Sequence, residues 1–475
     1  MGSTDTRRYS SPAMRNLLTF LKEQGLGGIL ITSPTGDAKI AVLRKDLARA
    51  FSLIRRFARD EGFDLRIRPI RAKKVLRVLP VALTQMVGHR RYKVELSGGE
   101  KASFELEGWK DEGEYFESAS PNHISRRLWK TTAEAHGLFT GAGIKDYAAI
   151  LPCPHALEPA FPIDLVFTWV NADDPDWQRM FSQYAPEPVT VAPTNDATAR
   201  SRYYSRDELK YALRSWAENG TFIRKIFIVS NCRPPEWLNL ESEQIAWIPH
   251  EQILPADALP TFNSHAIEAC LHKIPGLANH FIYSNDDVFL ARKAFPSDFF
   301  LPSGLVKVRL EPYGQVNGEP HPDHPAYLNG ARNGKALLER EFGRSTTQLT
   351  SHTFHALRLD ILREMEAKFD EAFYRTIHNR FRSPNDISVT SYLHSHYCVL
   401  SGKGIADDTP VWLVQANHRY QRRLRKLLER KNGGRRLPLS LCLNDGKNSD
   451  NDRAWDTAVR GFLNTFFPNP SPFEK

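Results

Sequence analysis

Two adjacent aspartates interrupt an apolar run just past the middle of the chain. Residues 281–290 read FIYSNDDVFL, so that Asn285, Asp286 and Asp287 lie between segments typical of a buried strand. Burying two like charges costs free energy unless a cation or the donors of a bound ligand offset them. The pattern predicts a metal or phosphate site where this strand ends. An Asx-rich turn that caps a strand is the alternative.

Strands and helices alternate around this segment. Apolar runs at 163–170, 225–230 and 281–285 are separated by helical patterns at 206–219 and 265–272. The alternation predicts βαβ units and therefore a parallel sheet with both faces covered. Ligands collect beyond the carboxyl ends of such strands, so we expect two acidic segments to converge there. These segments are Asn171-Ala172-Asp173-Asp174 and Asn285-Asp286-Asp287.

The sequence predicts three regions, of which this α/β domain is the second. We expect an N-terminal α+β accessory domain at residues 1–155, this α/β domain at 160–400 and a basic C-terminal region at 401–475. The first contains a helical pattern at 43–61 and a hairpin formed by 92–96 and 102–106. A proline-rich linker at 152–162 separates it from the second.

The chain is basic, with 64 lysines and arginines against 55 aspartates and glutamates and a formal net charge of +9. This balance favours polyanionic partners such as nucleic acid, anionic lipid, nucleotide or acidic polysaccharide. Nucleic acid is disfavoured because the sequence has no zinc-finger, RNP-type or helix-turn-helix signature. The densest cations lie at 418–436 and predict a basic helix that ends at Gly433-Gly434. A solvated helical face is the alternative.

Neither a membrane span nor a secretory leader is expected. No window approaches the roughly 20 apolar residues of a transmembrane helix, and the N-terminus lacks the charged-then-apolar order of a signal peptide. The five cysteines are widely spaced without a CxxC pair, which argues against a disulfide framework and a zinc site. We therefore expect a cytoplasmic protein.

Four ordered groups of residues match the motif blocks of a known family. They are IDLVFTWVN at 163–171, RDELKYALRS at 206–215 continuing to NDD at 285–287, SHTFH at 351–355 with HNRFR at 378–382, and LND at 443–445. In this order they resemble the Stealth proteins, which include bacterial capsular polysaccharide phosphotransferases. The resemblance covers roughly residues 160–450, and the block before Ile163 matches no family motif.

The resemblance implies a fold and a reaction. It implies a Rossmann-like, glycosyltransferase-A-like domain that transfers hexose-1-phosphate, with N-acetylglucosamine-1-phosphate expected, from a UDP-sugar to a hydroxyl of an oligosaccharide or capsular polymer. UMP leaves and a phosphodiester forms. The short spacing from Asp287 to His352 leaves no room for the inserted modules of lysosomal-tagging members, so the chain resembles the bacterial polymerases. These act at the inner membrane face, where the basic segment would suit a phosphodiester polymer or anionic lipid.

His352 is the predicted general base. An imidazole titrates near neutral pH, and the resemblance places this histidine at the family's catalytic position. Phe354, Leu357, Ile361 and Met365 recur at helical spacing. They predict a helix directly after His352, whose N-terminus would favour a phosphate. A histidine that caps a helix near the surface is the alternative.

Two arginines are candidate phosphate ligands. Arg382 matches the family's functional arginine, and its guanidinium can hold two phosphate oxygens. A surface charge or an ion pair with Asp386 is the alternative. Arg332 lies in a loop-like segment before a helix and is the second candidate.

Asp286 and Asp287 are the predicted catalytic carboxylates, one binding a divalent ion or the donor sugar and the other contacting hydroxyls. Mg²⁺ or Mn²⁺ suits a diphosphate, with Asp287 and Asp445 as candidate ligands. The resemblance further implies six substrate-binding residues, Trp169, Asn171, Arg206, Asn263, Asn285 and Asn444. Asp173, at the first acidic strand end, and Arg332 are further candidates. A core tryptophan and an Asn-Asp-Gly turn are the alternatives for Trp169 and Asn444.

Two other functions remain compatible with the sequence. A metal-dependent glycosyltransferase would also use a nucleotide sugar and acidic strand ends, but would release UDP instead of UMP. A non-catalytic polyanion-binding protein would explain the +9 charge. It would leave the combination of His352 and Arg382 unexplained.

Overall fold

The computed structural model describes residues 12–32, 38–70, 90–97, 102–122, 124–140, 143–146, 156–184, 203, 205–433, 436–445 and 453–475. The chain divides into two compact units, residues 1–158 and 159–475. Their boundary falls within the proline-rich segment at 152–162.

The first unit is an α+β domain built on a mixed sheet. Its strands are β1 (Gly28–Thr32), β2 (Ala38–Leu43), β3 (Asp64–Pro69), β4 (Arg91–Ser97), β5 (Ala102–Asp111), β6 (Tyr115–Glu117), β7 (Arg127–Trp129) and β8 (Ile144–Asp146). Its helices are α1 (Pro12–Glu23), α2 (Leu47–Asp60) and α3 (Lys130–Ala135). The sheet order is β3-β4-β5-β2-β1-β8, with β6 and β7 continuing from β5.

The predicted hairpin and helix of this unit are confirmed. β4 and β5 pair antiparallel, with Val94 opposite Phe104. Alternate residues of both strands are buried with the apolar faces of α1 and α2 in one core cluster. The opposite face of the sheet buries a second cluster around Trp109 and Phe116. The unit therefore has a core on each face of its sheet.

The second unit contains the remaining elements. Its strands are β9 (Ile163–Thr168), β10 (Ile226–Val229), β11 (Ile245–Ile248), β12 (His280–Asn285), β13 (Val288–Leu290), β14 (Val306–Val308), β15 (Leu310–Gly314), β16 (Gln348–Thr350), β17 (His355–Arg358), β18 (Gly404–Ala406), β19 (Trp412–Gln415) and β20 (Ser440–Asn444). Its helices are α4 (Pro175–Tyr184), α5 (Glu208–Asn219), α6 (Ser264–Ala269), α7 (Ala326–Phe342), α8 (Leu359–Lys368), α9 (Asp370–His378), α10 (His394–Leu400), α11 (Tyr420–Asn432) and α12 (Arg453–Phe466).

The main sheet of this unit has the order β11-β10-β9-β12-β17. The first four strands are parallel and β17 is antiparallel. Their apolar runs are almost wholly buried, as expected of strands covered on both faces. Following the chain, β10 is added beside β9 and β11 beside β10. The next strand, β12, is added on the other side of β9. This change of direction is a topological switch point. The predicted α/β, Rossmann-like arrangement is confirmed.

Two local predictions are wrong. The helix expected directly after His352 begins only at Leu359, because residues 355–358 form β17 and pair with β12. Backbone pairing at the sheet edge outweighs the helical spacing of the apolar residues. Arg332 lies inside α7 and not in a loop. A helix N-terminus therefore does not explain phosphate binding beside His352.

Residues 401–475 share the core of the second unit. β20 pairs with β13 and β19, while β18 pairs with β14. Leu424 of α11 and Trp455 of α12 belong to the same buried cluster as the main sheet. The basic helix predicted at 418–436 is confirmed as α11. Within the part of the chain that the structure describes, no helix has both the length and the apolar character needed to cross a membrane.

Candidate active site

The carboxyl ends of β9 and β12 lie side by side at the switch point. Asn285, the last residue of β12, is paired with Thr168, the last residue of β9. The next residues along the chain, Trp169 after β9 and Asp286 after β12, therefore leave the sheet at the same edge. The two strand ends meet as predicted, whereas Asp174 of the first acidic segment accepts hydrogen bonds from the backbone N–H groups of Asp176 and Arg233. Crevices of this kind are where open α/β sheets bind ligands.

Four carboxylates share the space beside β12. Burial, together with Glu208 and Asp287, raises the pKa of Asp286 well above its ordinary value. Burial raises the pKa of Asp287 to about 6, and the charges of Glu208 and Asp445 act in the same direction. Burial also raises the pKa of Glu208. Burial and mutual repulsion thus disfavour ionising these carboxylates together, unless a cation or the donors of a ligand compensate their charge.

Arg206 is the cation at the centre of this group. Its guanidinium lies 3.2 Å from Glu208, 3.0 Å from Asp445 and 2.5 Å from Asp456, and the side chain is only 4% exposed. Although burial acts against the charge, Asp445 and Glu208 raise the pKa of Arg206 above its ordinary value. Arg206, which was predicted to bind substrate, is therefore bound by carboxylates of the protein. Its contacts give it the role of positioning these carboxylates.

The two carboxylate oxygens of Asp287 have different surroundings. Its Oδ2 accepts a hydrogen bond from Cys442 Sγ at 3.4 Å, whereas the buried Oδ1 has no hydrogen bond of normal geometry. Its backbone carbonyl accepts the N–H of Leu443 at 3.0 Å, which brings β20 and Asn444 to the site. The Asn444 side chain opposes the rise in the Asp287 pKa caused by burial.

The carboxylates fit a cation that is held partly by substrate. Within the described ranges, no three His, Cys, Asp or Glu side chains are grouped closely enough to hold a metal ion by themselves. Asp445 is already bound by Arg206 and by Trp455 Nε1, which lies 2.8 Å from Oδ1. Mg²⁺ is commonly held by one or two carboxylates plus substrate phosphates. The unpaired Oδ1 of Asp287 suits that arrangement better than Asp445 does.

Tyr283 links the two strand ends. Its hydroxyl donates to Asn285 Oδ1 at 2.9 Å and lies 2.9 Å from Thr168 Oγ1. Burial, followed by Glu268, raises the Tyr283 pKa well above its ordinary value, so the phenol stays protonated. Sequence reasoning missed Tyr283, whose signal was a hydroxyl inside the apolar run at 281–285.

His352 lies in the loop between β16 and β17, three residues before the pair formed by His355 and Tyr283. Its side chain is 45% exposed, and Nδ1 lies 3.9 Å from Glu311 Oε1. His355 is different, because its ring stacks on Tyr283 and burial lowers its pKa to about 4. The exposed histidine can therefore reach a substrate, while its neighbour packs as a neutral ring.

Arg382 approaches the same edge from the loop after α9. Its Nη2 donates to Ser264 Oγ at 2.6 Å, at the start of α6. Its charge also opposes the rise in the Tyr283 pKa that burial and Glu268 cause. Arg382 is thereby held near the carboxyl end of β12, as the predicted role in phosphate binding requires.

Asp386 fixes this loop from within. Its buried carboxylate accepts hydrogen bonds from Asn263 Nδ2 at 2.9 Å, Asn379 Nδ2 at 2.7 Å and Ser383 N at 2.9 Å. Asn263 also caps α6 by accepting the N–H of His265. Since Asn263 is fully buried and bonded within the protein, its placement supports positioning of the Arg382 loop and not contact with substrate.

Arg332 is likewise enclosed by protein. It is 7% exposed and donates to Asn317 O at 2.7 Å, His324 Nδ1 at 2.7 Å and Asn329 Oδ1 at 3.1 Å. These bonds tie the segment before α7 to the helix. The Arg332 guanidinium thus donates to protein groups, and these bonds use the donors that a phosphate would need.

The segment after β9 offers an amide and an indole. Asn171 Oδ1 accepts the N–H of Asp173 at 3.0 Å in an Asx turn that leaves Asp173 exposed. Trp169 is 7% exposed and packs edge-on against Trp247 at 5.7 Å. Its buried Nε1 has no hydrogen-bond partner among the described residues. A ligand acceptor beside this indole would satisfy it.

Family models match the chain at four places. They are Stealth protein conserved regions 1 to 4, found at residues 161–186, 202–308, 351–398 and 435–475. A curated relative, capsular polysaccharide phosphotransferase SacB from Neisseria meningitidis serogroup A, is 48% identical over 374 residues. The alignment covers 78% of this chain and 68% of that protein. The chain belongs to the Stealth family. It is accordingly a transferase, as predicted.

More distant relatives have similar names. Exopolysaccharide phosphotransferase SCO6023 from Streptomyces coelicolor is 36% identical over 393 residues, covering 79% of this chain and 65% of that protein. Among solved structures, galactosyltransferase LgtC in complex with donor and acceptor sugar analogs matches 64% of this chain and 95% of its own, at 9% identity and a TM-score of 0.32. A score this low does not assign a function.

The conserved regions coincide with the candidate site. Regions 1 and 2 contain the two strand ends, region 3 contains His352 and Arg382, and region 4 contains Asp445. Arg332 lies outside all of them. The Stealth matches thus fall on the residues that the fold brings to one edge of the sheet.

Proposed function

We propose that this Stealth protein is a hexose-1-phosphate transferase of capsule or exopolysaccharide synthesis. The donor is a UDP-sugar, expected to be UDP-N-acetylglucosamine, and the acceptor is a hydroxyl of an oligosaccharide or capsular polymer. The observation that carries the proposal is the meeting of Asn285, Asp286 and Asp287 with Thr168 at the switch point, inside a family of named polysaccharide phosphotransferases.

The reaction forms one P–O bond and breaks another. The acceptor hydroxyl attacks the phosphorus that carries the sugar, and the bond from that phosphorus to the oxygen of UMP breaks. His352 accepts the hydroxyl proton, since it is exposed at the edge of the sheet and an imidazole can take a proton near pH 7. Arg382 offers N–H groups to the phosphoryl oxygens, where a fixed positive charge stabilises the transition state.

A divalent cation, Mg²⁺ or Mn²⁺, would supply charge neutralisation for the diphosphate. Asp287 would hold it through the oxygen that lacks a hydrogen bond, with Asp286 beside it. Arg206 keeps Asp445 and Glu208 in place around these two residues. Asn285 and Asn171 are left to bind hydroxyls of the donor.

A cytoplasmic location, with peripheral attachment to the inner face of the membrane, is part of the proposal. A UDP-sugar and a growing polymer would meet the enzyme there. The positive net charge favours an anionic surface or an anionic product.

The test is the nucleotide that is released. The purified protein would be incubated with Mg²⁺, a short saccharide acceptor and each member of a panel of UDP-hexoses, and the nucleotides separated by chromatography. UMP with an acceptor extended by a sugar phosphate is expected. UDP would identify a glycosyltransferase and overturn the proposal. His352→Asn provides the matched inactive enzyme.

A further inference from the structure

The helix α11 presents a dense cationic surface. Residues 420–432 read YQRRLRKLLERKN, and Glu429 is the one acid among them. We call the exposed cations at this helix and its start the α11 basic surface; they are Arg419, Arg422, Arg423, Arg425 and Lys426. This surface lies between conserved regions 3 and 4, outside every family match.

Within the described ranges, most of this charge has no counter-charge. Arg425 lies 3.6 Å from Glu429, but the other four cations have no carboxylate within ion-pair distance among the described residues. Arg423 donates to the carbonyl of Leu413, a neutral group. Lys426 lies over the ring of Trp412 at 5.5 Å, which holds the ammonium group without neutralising it. A surface of this kind gains free energy by binding a polyanion.

The apolar residues of α11 face the protein. Tyr420, Leu424 and Leu427 are 9%, 5% and 0% exposed and belong to the core of the second unit. Helices that lie in a membrane interface insert an exposed apolar face, and α11 has none to insert. The geometry therefore favours a charged chain in solution over a lipid surface.

The surface begins close to the candidate site. β19 and β20 are parallel neighbours, with Gln415 opposite Asn444. Asn444 is one residue from Leu443, whose N–H binds the backbone of Asp287. Arg419 follows Gln415 by only four residues and so lies within about 14 Å of it along the chain. The start of α11 is therefore close enough for an acceptor bound at the switch point to reach it.

We propose that the α11 basic surface binds the phosphodiester backbone of the growing acceptor and keeps it on the enzyme between transfers. This inference rests on the proposed function, which makes the product a linear polyanion with one phosphate per repeat. The guanidinium and ammonium groups bind phosphates of earlier repeats while the terminal hydroxyl is at the site. Longer acceptors should therefore bind more tightly than short ones.

The test removes the charge and keeps the helix. Arg419, Arg422, Arg423 and Lys426 would be changed together to Gln, which is as good a helix former as the residues it replaces. The matched control changes four exposed arginines elsewhere in the second unit, Arg340, Arg344, Arg363 and Arg375, to Gln. Thermal unfolding would verify that both proteins fold. Binding of a fluorescent glycerol-phosphate phosphodiester decamer would be measured from 50 to 300 mM salt.

The α11 variant should bind the decamer about tenfold more weakly, and the slope of log K against log salt should fall by about 2 to 3, at roughly 0.7 per lost phosphate contact. The control should change affinity less than about twofold. Equal losses in both variants, or none in either, would overturn the proposal. So would unchanged decamer binding together with lost flotation on vesicles of 30% phosphatidylglycerol in phosphatidylcholine, because the partner would then be the membrane.

Activity measurements distinguish a role of the α11 basic surface from a role in the active site. With a short acceptor, the α11 variant should release UMP at the wild-type rate, because no changed residue belongs to the catalytic group. With excess donor it should make shorter polymer. Full-length polymer from the variant would overturn the role in elongation. A wild-type protein that binds the decamer but releases no UMP would count against the proposed reaction and not against the surface.

Discussion

Arg206 and Asp445 are 239 residues apart in the chain and lie 3.0 Å apart in the fold. The pair joins the segment before α5 to the end of β20, so that conserved regions 2 and 4 meet at one guanidinium. Arg206 is also bound to Glu208 and Asp456. Through it, residues from distant parts of the sequence surround the two aspartates at the end of β12.

Replacing Arg206 with Met should destabilise the protein strongly. Removing one partner of a buried ionic group leaves the others unpaired, which costs about 3 to 5 kcal/mol. Arg206→Lys keeps the charge but lacks the planar guanidinium that spans the three carboxylates, so a smaller loss is expected. The free energy of unfolding in urea measures both. A loss below about 1 kcal/mol for Arg206→Met would mean that the group is hydrated and not structural.

Replacing His352 with Asn should remove catalysis and leave stability unchanged. A general base contributes about 10²- to 10⁴-fold, so UMP release should fall by at least about 100-fold. The side chain is 45% exposed and its nearest charged partner is 3.9 Å away, so the melting temperature should stay constant. His136→Asn, at an exposed position in the first unit, is the matched control. Substantial UMP release by His352→Asn would assign the base elsewhere.

Asp386 should matter through the loop that it holds. Asp386→Ala removes the acceptor of three short hydrogen bonds and leaves buried amides unpaired, which should cost about 3 kcal/mol. UMP release should fall with it, because Arg382 is carried by the same loop. The neighbouring exposed Asn385→Ala should change neither property. Normal activity in a destabilised Asp386→Ala protein would uncouple this loop from Arg382.

The sequence was sufficient for the parts of the fold that local patterns determine. Apolar runs separated by helical patterns predicted β9, β10 and β12, and the acidic residues after two of these strands predicted the edge where they meet. The order of the sheet, which creates the switch point between β9 and β12, depends on long-range pairing that no local pattern records. The same limit explains the error at residues 355–358, where a neighbouring strand decides the backbone conformation.

The site residues likewise divide into those that the sequence indicated and those that only the structure could assign. The motif blocks indicated His352, Arg382 and the paired aspartates, whose side chains lie near the strand ends. The sequence could not separate Arg206, Asn263 and Arg332 from ligands, because the burial and hydrogen bonds that favour a positioning role for them depend on packing. Tyr283 was missed because a tyrosine in a buried strand has no distinctive spacing. Residue type and motif position predict which residues lie near the site. Packing determines which of their side chains stay exposed to a ligand.

Removing divalent cations should stop the reaction without unfolding the protein. EDTA should reduce UMP release to background and added Mg²⁺ should restore it, because the diphosphate adds negative charge beside Asp286 and Asp287. Since no three described side chains form a metal site by themselves, the melting temperature without donor should not change on chelation. Asp287→Asn should raise the Mg²⁺ concentration needed for half-maximal rate by about tenfold or more. Full activity in EDTA would contradict the cation requirement.

His250 should make stability depend on pH. Its side chain is 3% exposed, and neither ring nitrogen has a hydrogen-bond partner among the described residues. Burial lowers the pKa of His250 to about 4 from an ordinary value of 6.5. Its neutral form is therefore favoured in the folded state, while the unfolded chain takes up a proton below pH 6.5. The stability present above pH 6.5 is lost as the pH falls toward 4.

This lowering of the His250 pKa should reduce the free energy of unfolding by about 3 kcal/mol between pH 7 and pH 4. His250→Leu removes the titrating group, so the free energy of unfolding should fall less steeply across that range than in the wild type. At pH 8 the His250 imidazole of the wild type is neutral in both the folded and the unfolded state, so the difference between the two proteins there measures packing alone. Urea unfolding at pH 8, 6.5, 5.5 and 4.5 gives both curves. Parallel curves would show that the imidazole takes up its proton in the folded protein over the same pH range as in the unfolded chain, and would contradict the prediction.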